Sequence, residues 1–179
     1  MIITIRPAQE SDAVRWEEIH ADGWEYAYRG ILDDDYLDRS KEKFKTNIQK
    51  TREFLSDKNG IKLVAENENG LIVGTMGGIM SISENGDQTF ELQGLYLDPK
   101  YIGHGIGKKL VLAFADWVKQ NGGQKFIIGC LAQNKSCGFY KKLGGTEFQQ
   151  CMFRDKYPEI IFQFVLDKNG IINNPTGMQ

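Results

Sequence analysis

Phe90-Glu91-Leu92-Gln93-Gly94-Leu95-Tyr96-Leu97-Asp98-Pro99-Lys100-Tyr101-Ile102-Gly103-His104-Gly105-Ile106-Gly107-Lys108-Lys109-Leu110-Val111-Leu112 passes from one hydrophobic period to another across a short glycine-rich break. Leu92, Gly94 and Tyr96 alternate with Glu91, Gln93 and Leu95, which is the period of a strand. Asp98-Pro99 turns the chain, and Lys108-Lys109-Leu110 opens a helical pattern. Strand, glycine loop and helix N-terminus in that order make an anion site. Glycine lets the backbone come close to a ligand, and the first N–H groups of a helix have no partner within it. Lys108 and Lys109 add positive charge. A loop that only packed a helix onto a strand would use one glycine, because each costs backbone entropy on folding.

Spacing narrows the ligand. A dinucleotide fingerprint, G-x-G-x-x-G, would put its third glycine at Lys108 or Leu110. A P-loop would need glycine at Ile102 and Ser or Thr at Lys109. Both patterns fail.

What remains resembles the acetyl-CoA pyrophosphate loop of the GNAT superfamily of N-acetyltransferases, Gln/Arg-x-x-Gly-x-Gly/Ala after a strand reading Leu-Tyr-Val-x-Pro. Leu95-Tyr96-Leu97-Asp98-Pro99 matches the strand and Ile102 to Gly107 the loop, with Ile102 standing where the family usually has Gln or Arg. A second stretch, Asn134-Lys135-Ser136-Cys137-Gly138-Phe139-Tyr140-Lys141-Lys142-Leu143-Gly144-Gly145, reads on its own as a short capped helix closed by glycines. It also resembles the family's Asn-x-x-(Ala/Ser)-x-x-Phe-Tyr-x-Lys-Leu-Gly-Phe, with Gly145 at the last position. The resemblance covers roughly 89–148.

The resemblance implies an acetyl-CoA-dependent acyltransferase in which acetyl-CoA and an amine meet in a ternary complex. It places Ile102, Gly103, His104, Gly105, Ile106, Gly107 and Lys108 at the pyrophosphate. The backbone of Leu95, Tyr96 and Leu97 is expected at the pantetheine amides and Asn134 at the CoA arm, with a main-chain N–H near Leu97 as the oxyanion donor. Tyr140 is the expected proton donor to the leaving thiolate, since a phenol titrates near pH 10 and a thiol near 8.5. Glu91, six residues before Leu97, is the candidate base, the alternative being an exposed strand carboxylate. Gln93 shares its face and would orient the acceptor. The main alternative is a non-catalytic acyl-CoA-binding or regulatory module on the same fold.

Residues Gly23 to Leu32 are unusually aromatic. They read either as a packed linker or as a wall of the acceptor pocket, in which Trp24, Tyr26 and Tyr28 would enclose a cationic amine. The acceptor class, a small molecule or a peptide, stays open. The family also leaves room for a homodimer.

Composition bounds the partners. With 179 residues, net charge −2 and 41% hydrophobic residues, a single core is expected and no basic field for nucleic acid or a membrane surface. No apolar run approaches the length of a membrane span and Met1 to Arg6 does not make a signal peptide, so a cytoplasmic protein is expected. Cys130, Cys137 and Cys151 are odd in number and form no C-x-x-C, and the histidines are His20 and His104, so no disulfide framework and no metal centre are expected. Asp33-Asp34-Asp35 reads as a helix cap, not a cation site.

The periods predict a strand at Met1 to Arg6 and a helix from Ser11 or Asp12 ending near Gly23 or continuing to Tyr28. A second helix is expected over 34–55. Strands follow at 61–66, 71–80 and from Thr89, with hairpin turns at Asn69-Gly70 and Asn85-Gly86. A helix to Gln120, a parallel strand at 125–131 and two final strands at 151–154 and 158–166 complete the domain. The fold class is α/β (α+β), a mixed, mostly antiparallel sheet of about six or seven strands flanked by helices. A splayed parallel pair is expected at the cofactor site. One domain is expected over 1–168, with a frayed or partner-bound tail over 169–179.

Overall fold

The computed structural model describes residues 1–167 and the backbone of 172–173. Strands and helices follow in the order β1 (Ile3–Pro7), α1 (Ala13–Tyr28), α2 (Asp34–Thr46), α3 (Ile48–Ser56), β2 (Ile61–Asn67), β3 (Ile72–Ile82) and β4 (Gln88–Leu97). They continue with α4 (Ile106–Gln120), β5 (Lys125–Leu131), α5 (Ser136–Lys142), β6 (Thr146–Phe153), β7 (Tyr157–Leu166) and the short β8 (Ile172–Asn173). The sheet order is β1-β2-β3-β4-β5-β7-β6, with β8 on β7. It is mixed and mostly antiparallel. The one parallel pair recorded, β4 with β5, is joined at Glu91↔Ile127. The helical crossover of α4 is what permits it.

The chain gathers into two compact units, Met1–Gly78 with Gly94–Val111, and Ile79–Gln93 with Leu112–Gln179. In the first, β1 pairs with β2 from Ile3↔Asn67 to Pro7↔Leu63, and β2 with β3 from Ile61↔Gly78 to Glu66↔Ile72. Ala13, Trp16, Ile19, Leu55, Val64 and Ile72 form its buried cluster. The entry to α1 is fixed by Arg6, whose guanidinium meets Asp12 at 2.7 Å and Glu66 at 2.7 Å. Burial pushes the Asp12 carboxyl up, but hydrogen bonds from Arg6 and the Gln9 N–H outweigh it and hold the group below its ordinary value.

Of the two ends expected for α1 the longer holds: it runs through Gly23 to Tyr28, and a glycine there lets the helix lie on Tyr96, whose Cδ1 is 2.9 Å from where a Cβ would stand. The helix expected over 34–55 is two helices, divided at Asn47. The turns fall where Asn-Gly placed them: the Gly70 N–H donates to the Asn67 carbonyl at 3.0 Å, with Gly70 at φ +76°.

In the second unit, β7 lies between β5 and β6, from Lys125↔Val165 to Leu131↔Glu159 on one side. Phe114, Phe126, Phe162 and Phe164 are fully buried, Phe126 stacked on Phe164 at 4.8 Å. Each such ring contributes about 1.5–3 kcal/mol of burial. β6 starts at Thr146, five residues before the sequence reading puts it, because Thr146 to Gln150 are all exposed and carry no apolar alternation. The expected loop at 155–157 is a tight turn with Arg154 and Asp155 at φ +53° and +56°. The tail expectation lies outside the described residues, except that the backbone of Ile172–Asn173 pairs with β7.

Candidate active site

The glycine loop leaves β4 at Asp98, whose N–H donates to the Val73 carbonyl at 3.0 Å. Its carboxylate does two things. Oδ1 accepts the Lys100 N–H at 3.0 Å and caps the single turn Pro99–Tyr101, while Oδ2 takes Arg15 Nη2 at 2.6 Å. Arg15 Nε also donates to the Ile72 carbonyl at 3.0 Å. Helix α1 and strand β3 therefore grip the start of the loop through one guanidinium.

Beyond that grip the backbone turns at Gly103 (φ +88°) and Gly105 (φ +77°), a region that only glycine enters freely. No atom lies within 4 Å of a Cβ placed on either, so the turn faces open space. Helix α4 begins at Ile106, and the Lys109 N–H to Gly105 carbonyl bond, 3.2 Å, is its first turn closing. The N–H groups of Ile106, Gly107 and Lys108 thus precede any intrahelical acceptor. Gly107 sits buried inside that turn, whereas Lys108 and Lys109 are exposed. His104 and Ile102 are exposed too, the His104 Nδ1 lying 3.2 Å from the Ile102 carbonyl. These residues fit a pyrophosphate: free main-chain donors, a helix start, lysines, and no side chain in the way.

Beneath the end of β4 lies an aromatic cluster. His20 packs against Tyr96 at 4.7 Å, Trp16 at 5.2 Å and Phe44 at 5.8 Å. Trp24 meets Tyr28 at 5.1 Å, Phe44 at 5.5 Å and Tyr36 at 6.2 Å. Trp24 and Tyr28 are therefore together, but Tyr26 stands on the outer side of α1 at 61% exposure and joins neither. Helical geometry explains the separation, since residues two apart never share a face. Burial pushes the His20 pKa down to about 3, so its ring is a neutral packing element. Glu17, one turn earlier, is buried and accepts the Thr51 hydroxyl; burial raises its pKa, and among the described residues its Oε2 has no partner.

In the second unit the Asn134 segment follows β5. Asn134 is buried, and its Oδ1 accepts the Ser136 N–H at 2.9 Å, setting up the turn into α5 from one position before the helix cap. Tyr140 is 5% exposed, between Phe139 at 5.2 Å, Phe162 at 5.8 Å and Phe164 at 6.4 Å. Where the family motif carries Phe, Gly145 leaves room for a ring from elsewhere. Phe164 Cζ lies 2.7 Å from the point a Cβ would occupy, and the Gly145 N–H donates to the Tyr140 carbonyl at 3.0 Å. Glu91 is half-buried opposite Ile127, and Gln93, further along the strand, is exposed.

Sequence reasoning missed Arg15, Asp98, Glu17, Thr51 and His20. Asp98 to Arg15 is a separation of 83 residues and Glu17 to Thr51 one of 34, and nothing local signals such pairs. The Asp-Pro step before the loop was the available hint, since Asp caps short turns readily.

A strand running into an open glycine turn and a helix N-terminus, on a mixed sheet with one parallel pair, makes an anion site of the kind that holds a phosphate-bearing ligand. The model of the acetyltransferase (GNAT) family matches residues 16–145, and the chain belongs to that family. It is an N-acetyltransferase that uses acetyl-CoA. An uncharacterized N-acetyltransferase, YuaI, of Bacillus subtilis strain 168 is 29% identical over 142 residues, 78% of each chain. The PaiA N-acetyltransferase of Thermoplasma acidophilum, solved in complex with coenzyme A, shares the fold at TM-score 0.70 and 24% identity over 91% of this chain and 98% of that one. A GCN5-related N-acetyltransferase of Rhodopseudomonas palustris does so at TM-score 0.71 and 17% identity, over 93% and 99%. Among the described residues, no helix is long and apolar enough to cross a membrane.

Proposed function

We propose that this chain moves the acetyl group of acetyl-CoA directly onto a primary amine of a small molecule or peptide, within a ternary complex. The observation that carries the reading is the open turn at Gly103 and Gly105 leading into the first N–H groups of α4. When bound, acetyl-CoA supplies a thioester carbonyl open to attack by an unprotonated amine, with a thiolate as leaving group.

The chain's own residues divide the work. Main-chain N–H groups from Gly103 to Lys108, with the Lys108 charge, hold the pyrophosphate. The backbone of Leu95, Tyr96 and Leu97 pairs with the pantetheine amides, an N–H near Leu97 serves the carbonyl oxygen, and Asn134 binds the CoA arm. The Tyr140 hydroxyl donates a hydrogen bond or its proton to the departing sulfur. Glu91 takes the amine proton, directly or through water, and Gln93 orients the acceptor. Trp24 and Tyr28 offer ring faces suited to a cation; the exposed Tyr26 has no part in that group.

Direct transfer is favoured over an acyl-enzyme. The Cys130 thiol is buried and its pKa raised, and the Cys137 thiol is turned toward Cys130 and the Leu131 carbonyl, not toward a histidine. The test is thermal unfolding with and without acetyl-CoA, then free-thiol release across a panel of amines. A ligand bound only by the folded state raises apparent stability. The expected result is a rise in melting temperature and thiol release with one amine class. A rise without release from any amine would replace catalysis by binding alone, and no rise at saturating acetyl-CoA would remove the reading.

A further inference from the structure

Cys130 closes β5 and Cys137 lies in the first turn of α5, with six residues between them, all within the second unit. Their Sγ atoms are 3.4 Å apart. Two sulfurs at that separation are in van der Waals contact, and a disulfide needs a further approach of roughly 1.4 Å. The Cys137 Sγ also lies 3.3 Å from the Leu131 carbonyl, which accepts its S–H. Cys130 is 5% exposed and Cys137 is partly buried, the more accessible of the two. Cys151 faces the Glu159 carboxylate at 3.4 Å instead.

We propose that Cys130 and Cys137 are a reversible dithiol–disulfide pair, closed by a low-molecular-weight disulfide and reopened by a dithiol. Exposure sets the order of events. Cys137 gives its proton to solvent, and its sulfur attacks one sulfur of the external disulfide. A Cys137–S bond forms, the external S–S bond breaks, and the first small thiolate leaves and takes up a proton. Cys130, whose pKa burial raises, then gives up its proton as its sulfur attacks Cys137 Sγ, expelling the second thiolate. The protein pair loses two electrons and two protons, and the external disulfide is reduced to two thiols.

The bond ties the first turn of α5 to the end of β5. Asn134 lies in the bridged turn and Tyr140 three residues after Cys137 on the same helix. Its bearing on acetyl transfer rests on the roles proposed for Asn134 and Tyr140; its formation does not.

The full chain, reduced and freed of thiols, is incubated with graded ratios of oxidised to reduced glutathione, and is read by intact mass, free-thiol titration and proteolytic mapping. The expected result is loss of two hydrogens, a fall from three free thiols to one, a Cys130–Cys137 cross-link, and full reversal by dithiothreitol. Cys130→Ser should stop at a glutathione adduct on Cys137, and Cys137→Ser should keep its thiols. Three thiols surviving an oxidising ratio, a persistent glutathione adduct in the native chain, or a bridge to Cys151 would each overturn the proposal. Mass and thiol count need no acetyl transfer, so failure of the catalytic reading would leave this result standing and the reverse is equally visible.

Discussion

In the proposed reaction residues 98–108 act through the main chain and residues 130–140 through side chains. The first segment offers the main chain: two glycines in the left-handed region and a helix start, with the side chains of Ile102 and His104 exposed. The second works through side chains packed to fixed positions, with Asn134 buried in its own turn, Tyr140 among three phenylalanines and two thiols in contact. Binding a pyrophosphate needs several donors with little side-chain specificity, whereas moving a proton or an electron pair needs one group at one place. That difference predicts that the first segment tolerates side-chain change but not backbone change, and the second the reverse.

The strongest way to break the contrast is Tyr140→Phe. The ring packing among Phe139, Phe162 and Phe164 is kept and the hydroxyl alone is lost, so folding and acetyl-CoA affinity should be nearly unchanged. Turnover should fall about 100-fold, the lower end of what a positioned general acid contributes. Steady-state rates beside a binding isotherm separate the two. Unchanged turnover would take Tyr140 out of the chemistry.

Gly105→Val attacks the other segment at its weak point. No atom blocks a side chain there, so sterics within the protein are not the issue; φ +77° is. A β-branched residue held in that region costs about 1–3 kcal/mol, and the turn will abandon it. The expected result is roughly 10- to 100-fold weaker acetyl-CoA binding by calorimetry at the cost just given. A variant that binds normally would mean that the loop does not hold the pyrophosphate.

The same contrast explains what was legible in the sequence. Glycine spacing, Asp-Pro and a lysine pair announce a main-chain site, because few residues can adopt the backbone it needs. The strand and helix periods point to the mixed sheet and the parallel β4–β5 pair. Side-chain partnerships were not legible. Arg15 with Asp98 and Glu17 with Thr51 join distant stretches, and Cys130 with Cys137 resembles two unrelated cysteines until β5 and α5 fold back on each other. The aromatic run at 23–32 reads in sequence either as a packed linker or as a wall of the acceptor pocket; helical phase divides it, with Trp24 and Tyr28 packed and Tyr26 outside. The break at Asn47 was hidden because Leu37, Phe44, Ile48 and Leu55 keep one apolar stripe through it.

Asp98→Asn sharpens the comparison from the side of support. The glycine segment has few side-chain anchors, and the Asp98 carboxylate bridging Arg15 and the Lys100 N–H is the main one. Asparagine can still accept the N–H but leaves the partly buried guanidinium with the exposed Glu18 carboxylate, 3.0 Å from Nη1, as its counter-charge. A loss of about 1–2 kcal/mol in chemical unfolding is expected, the worth of a charged hydrogen bond discounted for partial exposure. Acetyl-CoA affinity should fall with it. A stable variant with unaltered affinity would show that the glycine turn needs no side-chain brace at all.

The smallest effect concerns the ring beneath Tyr96. His20 has its pKa pushed from the ordinary 6.5 down to about 3 by burial, so the folded chain keeps it neutral where the unfolded chain protonates it. A base depressed in this way gives its full contribution above pH 6.5 and loses it as pH falls toward 3. The slope approaches about 1.4 kcal/mol per pH unit. Between pH 7 and 5.5 the native protein should therefore lose about 1 kcal/mol more than His20→Phe, which keeps the contacts with Trp16, Phe44 and Tyr96 and cannot titrate. Subtracting the two stability curves removes every other titrating group common to both. Parallel curves would mean that the ring reaches water, and that the first segment rests on a softer floor than the packing at Tyr140.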